Sequence, residues 1–281
     1  MGKNNITFVV FTYNEEKRIP YFIKNVINYW EVIVIDNFSE DNTVEVSEKL
    51  WAKVYQYKNP WYVETQEELD FVKSKLETEY MTWSFADHMW DKKLLEKTIE
   101  ITNKWKYDAI SAIMIQHHYW VEWLNFMTYN WKWKKYSAHP VVFKKDIISF
   151  EWIIHKNRKI NYKNNYIINT KYNYHHFSEY NINKFELSTN NYSNIESEML
   201  YNQWVKSSLI KTIFKIFLLF IKYYFFEWAF KKWKLWFIMV MNFMFFYFNV
   251  WAKHYEKEQW ITLNSISNNY IIEKEKILKI L

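Results

Sequence analysis

The 281-residue chain contains no cysteine, three prolines and a single glycine. Without cysteine there is no disulfide framework, no thiolate nucleophile and no cysteine-based metal site, and the redox compartment stays open. The glycine deficit is the stranger one, since about 7% of an ordinary chain, or about 20 residues at this length, is glycine. In their place stand 17 tryptophans. Several fall where a turn calls for glycine, such as Trp51 in Leu50-Trp51-Ala52-Lys53-Val54 and Trp105 in Asn103-Lys104-Trp105-Lys106-Tyr107. An aromatic-rich, low-GC gene accounts for the abundant Tyr, Phe, Asn, Ile and Lys, but not for the missing glycine. The expectation is that most of these tryptophans stand for glycine, from a genetic code in which UGA means Gly.

Charge is not strongly one-sided. The formal net charge is +6, and Lys and Arg are dispersed rather than striped. That balance suits an anionic membrane surface or a phosphorylated substrate and argues against nucleic acid. The opening Met1-Gly2-Lys3-Asn4-Asn5 runs straight into an apolar segment. It lacks the charged start, apolar run and small-residue site of a secretory leader, so a cytoplasmic location is expected.

What the chain does have is a regular alternation of strand and helix patterns over its first 115 or so residues, the mark of βαβ units and a mainly parallel sheet. Ile6–Phe11, Glu31–Asp36, Ala52–Tyr57, Met81–Phe85 and Ala109–Gln116 read as strands. Arg18–Asn28, Val44–Leu50, Gln66–Leu76 and Lys92–Asn103 read as helices, the second with Ser39, Asp41 and Thr43 as capping candidates. From Tyr119 to Tyr174 the pattern turns irregular, with a strand expected at Val141–Lys144, and Glu179–Gln203 reads as a polar helix. The domain expected is 1–205, divided into a nucleotide-binding half (1–116) and an acceptor-side half (117–205). A helical, membrane-associated region follows at 206–281.

That last region opens with Leu209–Phe226. Lys211, Lys215 and Lys222 fall at about 0°, 40° and 20° on a helical wheel of 100° per residue. One narrow basic stripe on an otherwise large apolar surface predicts an interfacial amphipathic helix. Leu235–Trp251 is more uniformly apolar. It reaches only about 26 Å as a helix, short of the roughly 30 Å hydrocarbon core.

The chemistry concentrates at strand ends, where open α/β sheets bind ligands. Phe11-Thr12-Tyr13-Asn14-Glu15-Glu16 follows the first strand, and Asp36-Asn37-Phe38-Ser39-Glu40-Asp41-Asn42-Thr43 follows the second. An aromatic ring there can stack on a base, and a carboxylate can accept from a pyrimidine N–H or a ribose hydroxyl. Each piece alone is ordinary turn chemistry; together on successive strand ends they carry more. This pair of motifs resembles the opening of family-2 glycosyltransferases with the GT-A fold, with Asn42 where that family has Gly. The resemblance implies a Rossmann-like, mainly parallel α/β sheet with flanking helices, here with amphipathic and apolar C-terminal helices added. It implies a nucleotide-sugar pocket lined by Thr12, Tyr13, Asn14, Glu15, Asp36, Ser39 and Asp87.

The family's acidic metal motif corresponds to Phe85-Ala86-Asp87-His88. The first acidic residue is replaced by Phe85 and the last by His88, so Asp87 carries the expected Mg²⁺ or Mn²⁺, with His88 and His176 as further ligand candidates. An inverting transfer also needs a base to deprotonate the acceptor hydroxyl. Glu151 and His155 are the candidates. Ile153-Ile154-His155 and His176-Phe177-Ser178 resemble the family's lipopolysaccharide-core branch, which has Glu where Lys156 stands. The function implied is transfer of a hexose from a nucleotide-diphosphate sugar to a glycan or lipid-linked acceptor of the cell envelope. The enzyme would sit peripherally at the inner face of the membrane. A non-catalytic nucleotide-sugar-binding relative and a nucleotidyltransferase are the competing readings; the latter lacks its glycine-rich loop. Trp30, Trp51, Trp105, Trp152, Trp204, Trp228, Trp233, Trp236 and Trp260 are the expected glycine positions. Trp83 is excluded because an aromatic at the fourth strand suits the family pattern.

Overall fold

The computed structural model describes residues 5–59, 64–104, 106–118, 121–124, 129–130, 135–136, 138–150, 158–168, 173–178, 182–226 and 233–278. They form two compact units, 1–179 and 180–281. The expected boundary near 205 therefore moves upstream, because the long polar helix after 181 belongs with the helices that follow it.

The first unit begins β1 (Ile6–Thr12), α1 (Ile19–Val26), β2 (Glu31–Asp36), α2 (Thr43–Lys49), β3 (Lys53–Gln56) and α3 (Gln66–Lys75). Then come β4 (Tyr80–Thr82), β5 (Ser84–Phe85), β6 (His88–Trp90), α4 (Lys92–Thr102) and β7 (Ala109–His118). Shorter strands complete it: β8 (Val121–Leu124), β9 (Tyr129–Asn130), β10 (Lys135–Tyr136), β11 (His139–Lys144), β12 (Ile148–Phe150), β13 (Arg158–Ile160), β14 (Asn165–Ile167) and β15 (Asn173–Ser178). The main sheet runs β3-β2-β1-β4-β11-β7-β15-β6. Strands β3, β2, β1 and β4 are parallel, whereas β11 inserts antiparallel between β4 and β7. The expected fourth strand is split at Trp83, and β5 pairs with the end of β1.

The continuous apolar run of β1 is buried on both faces, as a central parallel strand should be. Ile6, Phe8 and Val10 pack with Ile19, Phe22, Ile23 and Val26 of α1 and with Leu94, Leu95 and Ile101 of α4. Val9 faces the other way, into a cluster with Ile33, Ile35, Leu69 and Val72 of α3, Met81 and Phe143. The capping expectation for α2 is corrected. Asn42 precedes the helix without a side-chain cap, Thr43 is its first residue, and Asp41 Oδ1 accepts from the Thr43 amide at 3.0 Å.

Two of the expected glycine positions are corrected here. Trp30 is buried and its ring stacks on Phe8 at 4.4 Å between centroids. Trp236 is buried in the interior of a helix. Trp105, Trp152 and Trp228 lie outside the described residues, as does the side chain of Trp233.

The second unit consists of α5 (Ile182–Asn202), α6 (Leu209–Ile221), α7 (Trp233–Glu258) and α8 (Leu263–Leu278), with a π-helical turn Lys222–Phe226 closing α6. Helices α5 and α6 both pack against α7. Thr189, Ser193 and Ser197 are buried along α5, and Lys253 Nζ of α7 donates to Asn190 Oδ1 at 2.7 Å and Ser193 Oγ at 2.8 Å. The expectation that the second apolar segment is too short to span is corrected as to length. Its helix has 26 residues, about 39 Å, and is long and apolar enough to cross a membrane by length and composition.

Candidate functional site

Thr12 and Asp36 are register partners at the ends of β1 and β2. The loops that leave these strands are joined side chain to backbone. Asp36 is fully buried. It accepts from Thr12 Oγ1 at 3.0 Å, from the Ser39 amide at 2.9 Å and from Ser39 Oγ at 2.5 Å. Asn14 sits in the left-handed region, donates its amide to Ser39 Oγ at 2.9 Å and accepts from the Glu40 amide at 2.8 Å. The Glu15 amide donates to Thr43 Oγ1 at 2.7 Å, and the Glu16 amide to Asp41 Oδ2 at 3.1 Å. Thr12, Asn14, Asp36 and Ser39 are thus brought together as expected. In this structure the Asp36 carboxylate organises the two loops. Tyr13 and Phe38 are the residues of the two motifs that expose large rings.

The second half of the site comes from strands far apart in sequence. Strand β15 pairs antiparallel with β6, which sets His176 opposite His88. Asp87 lies in the turn before β6, with its carbonyl accepting from the Phe177 amide at 2.9 Å. His176 Nε2 then meets Asp87 Oδ2 at 3.1 Å, and the His88 and His176 rings stand 5.0 Å apart. Side chains alternate along a strand, so His175 takes the other face. There it meets Asp91 Oδ1 at 3.3 Å and His117 Nε2 at 2.9 Å, away from Asp87.

Arg18, which the sequence reading did not single out, ties the two halves. Its guanidinium grips both carboxylate oxygens of Glu15 and stands 3.6 Å from Asp87 Oδ2. The signal was available in the Glu15–Arg18 spacing, one turn apart in the segment that leads into α1. Burial alone would raise the Asp87 pKa. The hydrogen bond from His176 and the nearby His176, His88 and Arg18 outweigh it and hold the carboxyl down at about 2. Burial pushes His88 the other way, down to about 3, with His176 and Arg158 opposing its charge and Asp87 favouring it.

One ligand atom each from Asp87, His88 and His176 lie within 4.8 Å of one another. Asp87 Oδ1 is buried and accepts no hydrogen bond among the described residues, with His88 Nε2 3.9 Å away. An ionised carboxylate with a buried orphan oxygen beside neutral imidazole is a donor set that fits Mg²⁺ or, with its nitrogen ligands, Mn²⁺ better. The base candidates Glu151 and His155 lie outside the described residues.

With this geometry in hand, comparison with known proteins places the chain. No curated protein matches it. It is similar to S. aureus TarS 1-349 in complex with UDP, at 15% identity over 92% of each chain and a TM-score of 0.45. In another crystal structure of S. aureus TarS 1-349 the match covers 68% of this chain but 63%, under two-thirds, of that one, at 15% identity and a TM-score of 0.43. A glucosyl-3-phosphoglycerate synthase from Mycobacterium tuberculosis, in complex with Mn²⁺ and UDP-glucose, is 21% identical over 31% of this chain and 34% of that one, with a TM-score of 0.26. The model of Glycosyl transferase family 2 matches residues 7–251. The sheet with its flanking helices is the Rossmann-like α/β arrangement of the GT-A glycosyltransferases, and the chain belongs to glycosyl transferase family 2.

Proposed function

We propose that the protein transfers a hexose, with inversion, from a nucleotide-diphosphate sugar to a glycan or lipid-linked acceptor of the cell envelope, lipopolysaccharide core being the acceptor class its C-terminal motifs resemble. The observation that carries this reading is the meeting of Asp87, His88 and His176 with Arg18 beside the joined β1 and β2 loops. Thr12, Asn14 and Ser39 shape the nucleoside end, with Tyr13 as the exposed ring beside it. Asp87, His88 and His176 would hold the divalent cation, which supplies charge neutralisation to the departing nucleoside diphosphate. Arg18, held in place by Glu15, adds a fixed positive charge on the same side. Glu151 and His155 stay the candidates for the base that takes the acceptor proton.

A binding protein without turnover is the second reading, favoured by Phe85 standing half-exposed where the family has a carboxylate. Hydrolysis of several nucleotide sugars, with and without Mn²⁺, separates the two. Turnover that needs Mn²⁺ and is lost in Asp87→Asn is expected. Nucleotide binding without turnover supports the second reading, and no nucleotide binding at all refutes both.

The acceptor's setting follows from α6. Ile210, Ile213, Phe214, Phe217 and Leu218 are all exposed along it. Lys211 is exposed on the flank of that apolar face, and Lys215 beside it lies 4.0 Å over the Tyr247 ring. An apolar face edged with lysine suits the headgroup boundary of an anionic leaflet. The proposed location is peripheral, on the cytoplasmic side.

A further inference from the structure

Five non-glycine residues among those described have positive φ: Asn14, Phe38, Trp51, Trp204 and Trp260. Asparagine tolerates the left-handed region, whereas a bulky side chain there is an outlier. Phe38 belongs to the β2 loop at the site, where strain commonly gathers. The three tryptophans are nowhere near such an explanation, and all three stand at the same structural position.

Each follows the end of a helix. After α2, the Trp51 amide donates to the Glu48 carbonyl at 2.9 Å and the Ala52 amide to the Ser47 carbonyl at 3.2 Å. After α5, Trp204 donates to Tyr201 at 3.0 Å and Val205 to Leu200 at 3.1 Å. After α7, Trp260 donates to Lys257 at 3.2 Å and Ile261 to Glu256 at 2.9 Å. These are three copies of one closure, with a bond spanning three residues nested inside a bond spanning five. That is the Schellman motif, whose left-handed residue is usually glycine and whose next residue is usually apolar. Ala52, Val205 and Ile261 supply the apolar residue each time. The φ values at the tryptophans are 67°, 56° and 54°.

The side chains agree with the backbone. Trp51, Trp204 and Trp260 are 87%, 93% and 75% exposed, leaving in water the side chains that otherwise bury about 150–250 Å² each. Trp30, Trp83, Trp90 and Trp236 are 4%, 5%, 4% and 9% exposed, and none has positive φ. These seven tryptophans therefore divide into indoles that fill the core and indoles for which the fold makes no room.

We infer that residues 51, 204 and 260 are glycine in the protein as its own cell makes it, the codon at each being UGA read as Gly. The core residues Trp30, Trp83 and Trp90 are tryptophan encoded by UGG. The inference is independent of the glycosyltransferase reading. The first test is the gene: UGA at all three helix ends is expected, and UGG at any of them overturns the assignment there. The second is peptide mass mapping of the protein from the organism that makes it. Peptides over 51, 204 and 260 lighter by the difference between an indole side chain and hydrogen support the inference; peptides carrying intact tryptophan refute it. The third uses the tryptophan-bearing chain made recombinantly. Trp51→Gly, Trp204→Gly and Trp260→Gly should each raise the folded-to-unfolded ratio about 5- to 30-fold by relieving a left-handed non-glycine residue. Trp30→Gly should lower it. A loss of stability at all three helix ends would remove the structural ground.

Discussion

Glu68 offers a sharp check on the architecture behind the nucleotide loops. It lies in the first turn of α3, 6% exposed, with its amide donating to Thr65 Oγ1 at 3.1 Å. Burial pushes its carboxyl up from 4.5 to about 7, against a hydrogen bond from the Asn59 side chain, while the Glu64 charge adds to the rise. Asn59 in turn is bonded twice to Asn37, the residue after Asp36. The native state therefore favours the protonated acid. Stability from this group is fully present below pH 4.5 and is lost as pH rises through about 7. At about 1.4 kcal/mol per pH unit over this window, the loss reaches about 3 kcal/mol. Glu68→Gln keeps the shape and the acceptor but cannot ionise. Urea unfolding from pH 4 to pH 8 should show both proteins equal near pH 4. The variant should then pull ahead through pH 4.5–7 and stay ahead by up to about 3 kcal/mol. Parallel curves across that window would refute the claim that Glu68 is buried against its charge.

Other outcomes follow from the same geometry. Arg18→Ala should weaken nucleotide diphosphate binding with or without Mn²⁺, while Arg18→Lys restores only part of it because a point charge cannot grip Glu15 in two places; unchanged affinity in both variants, measured by calorimetry, would detach Arg18 from the site. Replacing Lys211, Lys215 and Lys222 by Glu should release the protein from anionic vesicles, each lysine contributing about 1 kcal/mol at such a surface. Retention in a sedimentation assay after that reversal would favour helices packed on protein alone.

Much of the sheet was legible because parallel strands buried on both faces leave continuous apolar runs, as in Ile6–Phe11 and Glu31–Asp36. The break at Trp83 and the antiparallel insertion of β11 were not, because pairing between segments 60 residues apart leaves no local period in the chain. His176 was grouped with His88 and Asp87 through the family resemblance alone, since the strand pairing that sets it opposite His88 leaves no local period. Local context also could not separate the tryptophans. Trp30 and Trp51 both stand between a helix and a strand, yet one indole turns inward onto Phe8 while the other stays in water. Only the direction of the chain at that residue decides.

The strand-end motifs show why ligand contacts are hard to assign from sequence even when the site is found. A strand that stops leaves amide and carbonyl groups without ladder partners, and buried ones must find partners nearby. Here Ser39, Thr43, Asp41 and Asn14 meet that demand, each accepting from an amide of the facing or the same loop. Asp36 then has its oxygens occupied by Thr12 and Ser39. The residues that read most plainly as ligand contacts are therefore the ones the fold uses to hold two loops in register. Asp87 keeps one buried oxygen that accepts nothing among the described residues, and Arg18 stands 3.6 Å from its other oxygen. On the proposed reading, the dense polar motif marks where the site is, and Asp87 and Arg18 carry its chemistry.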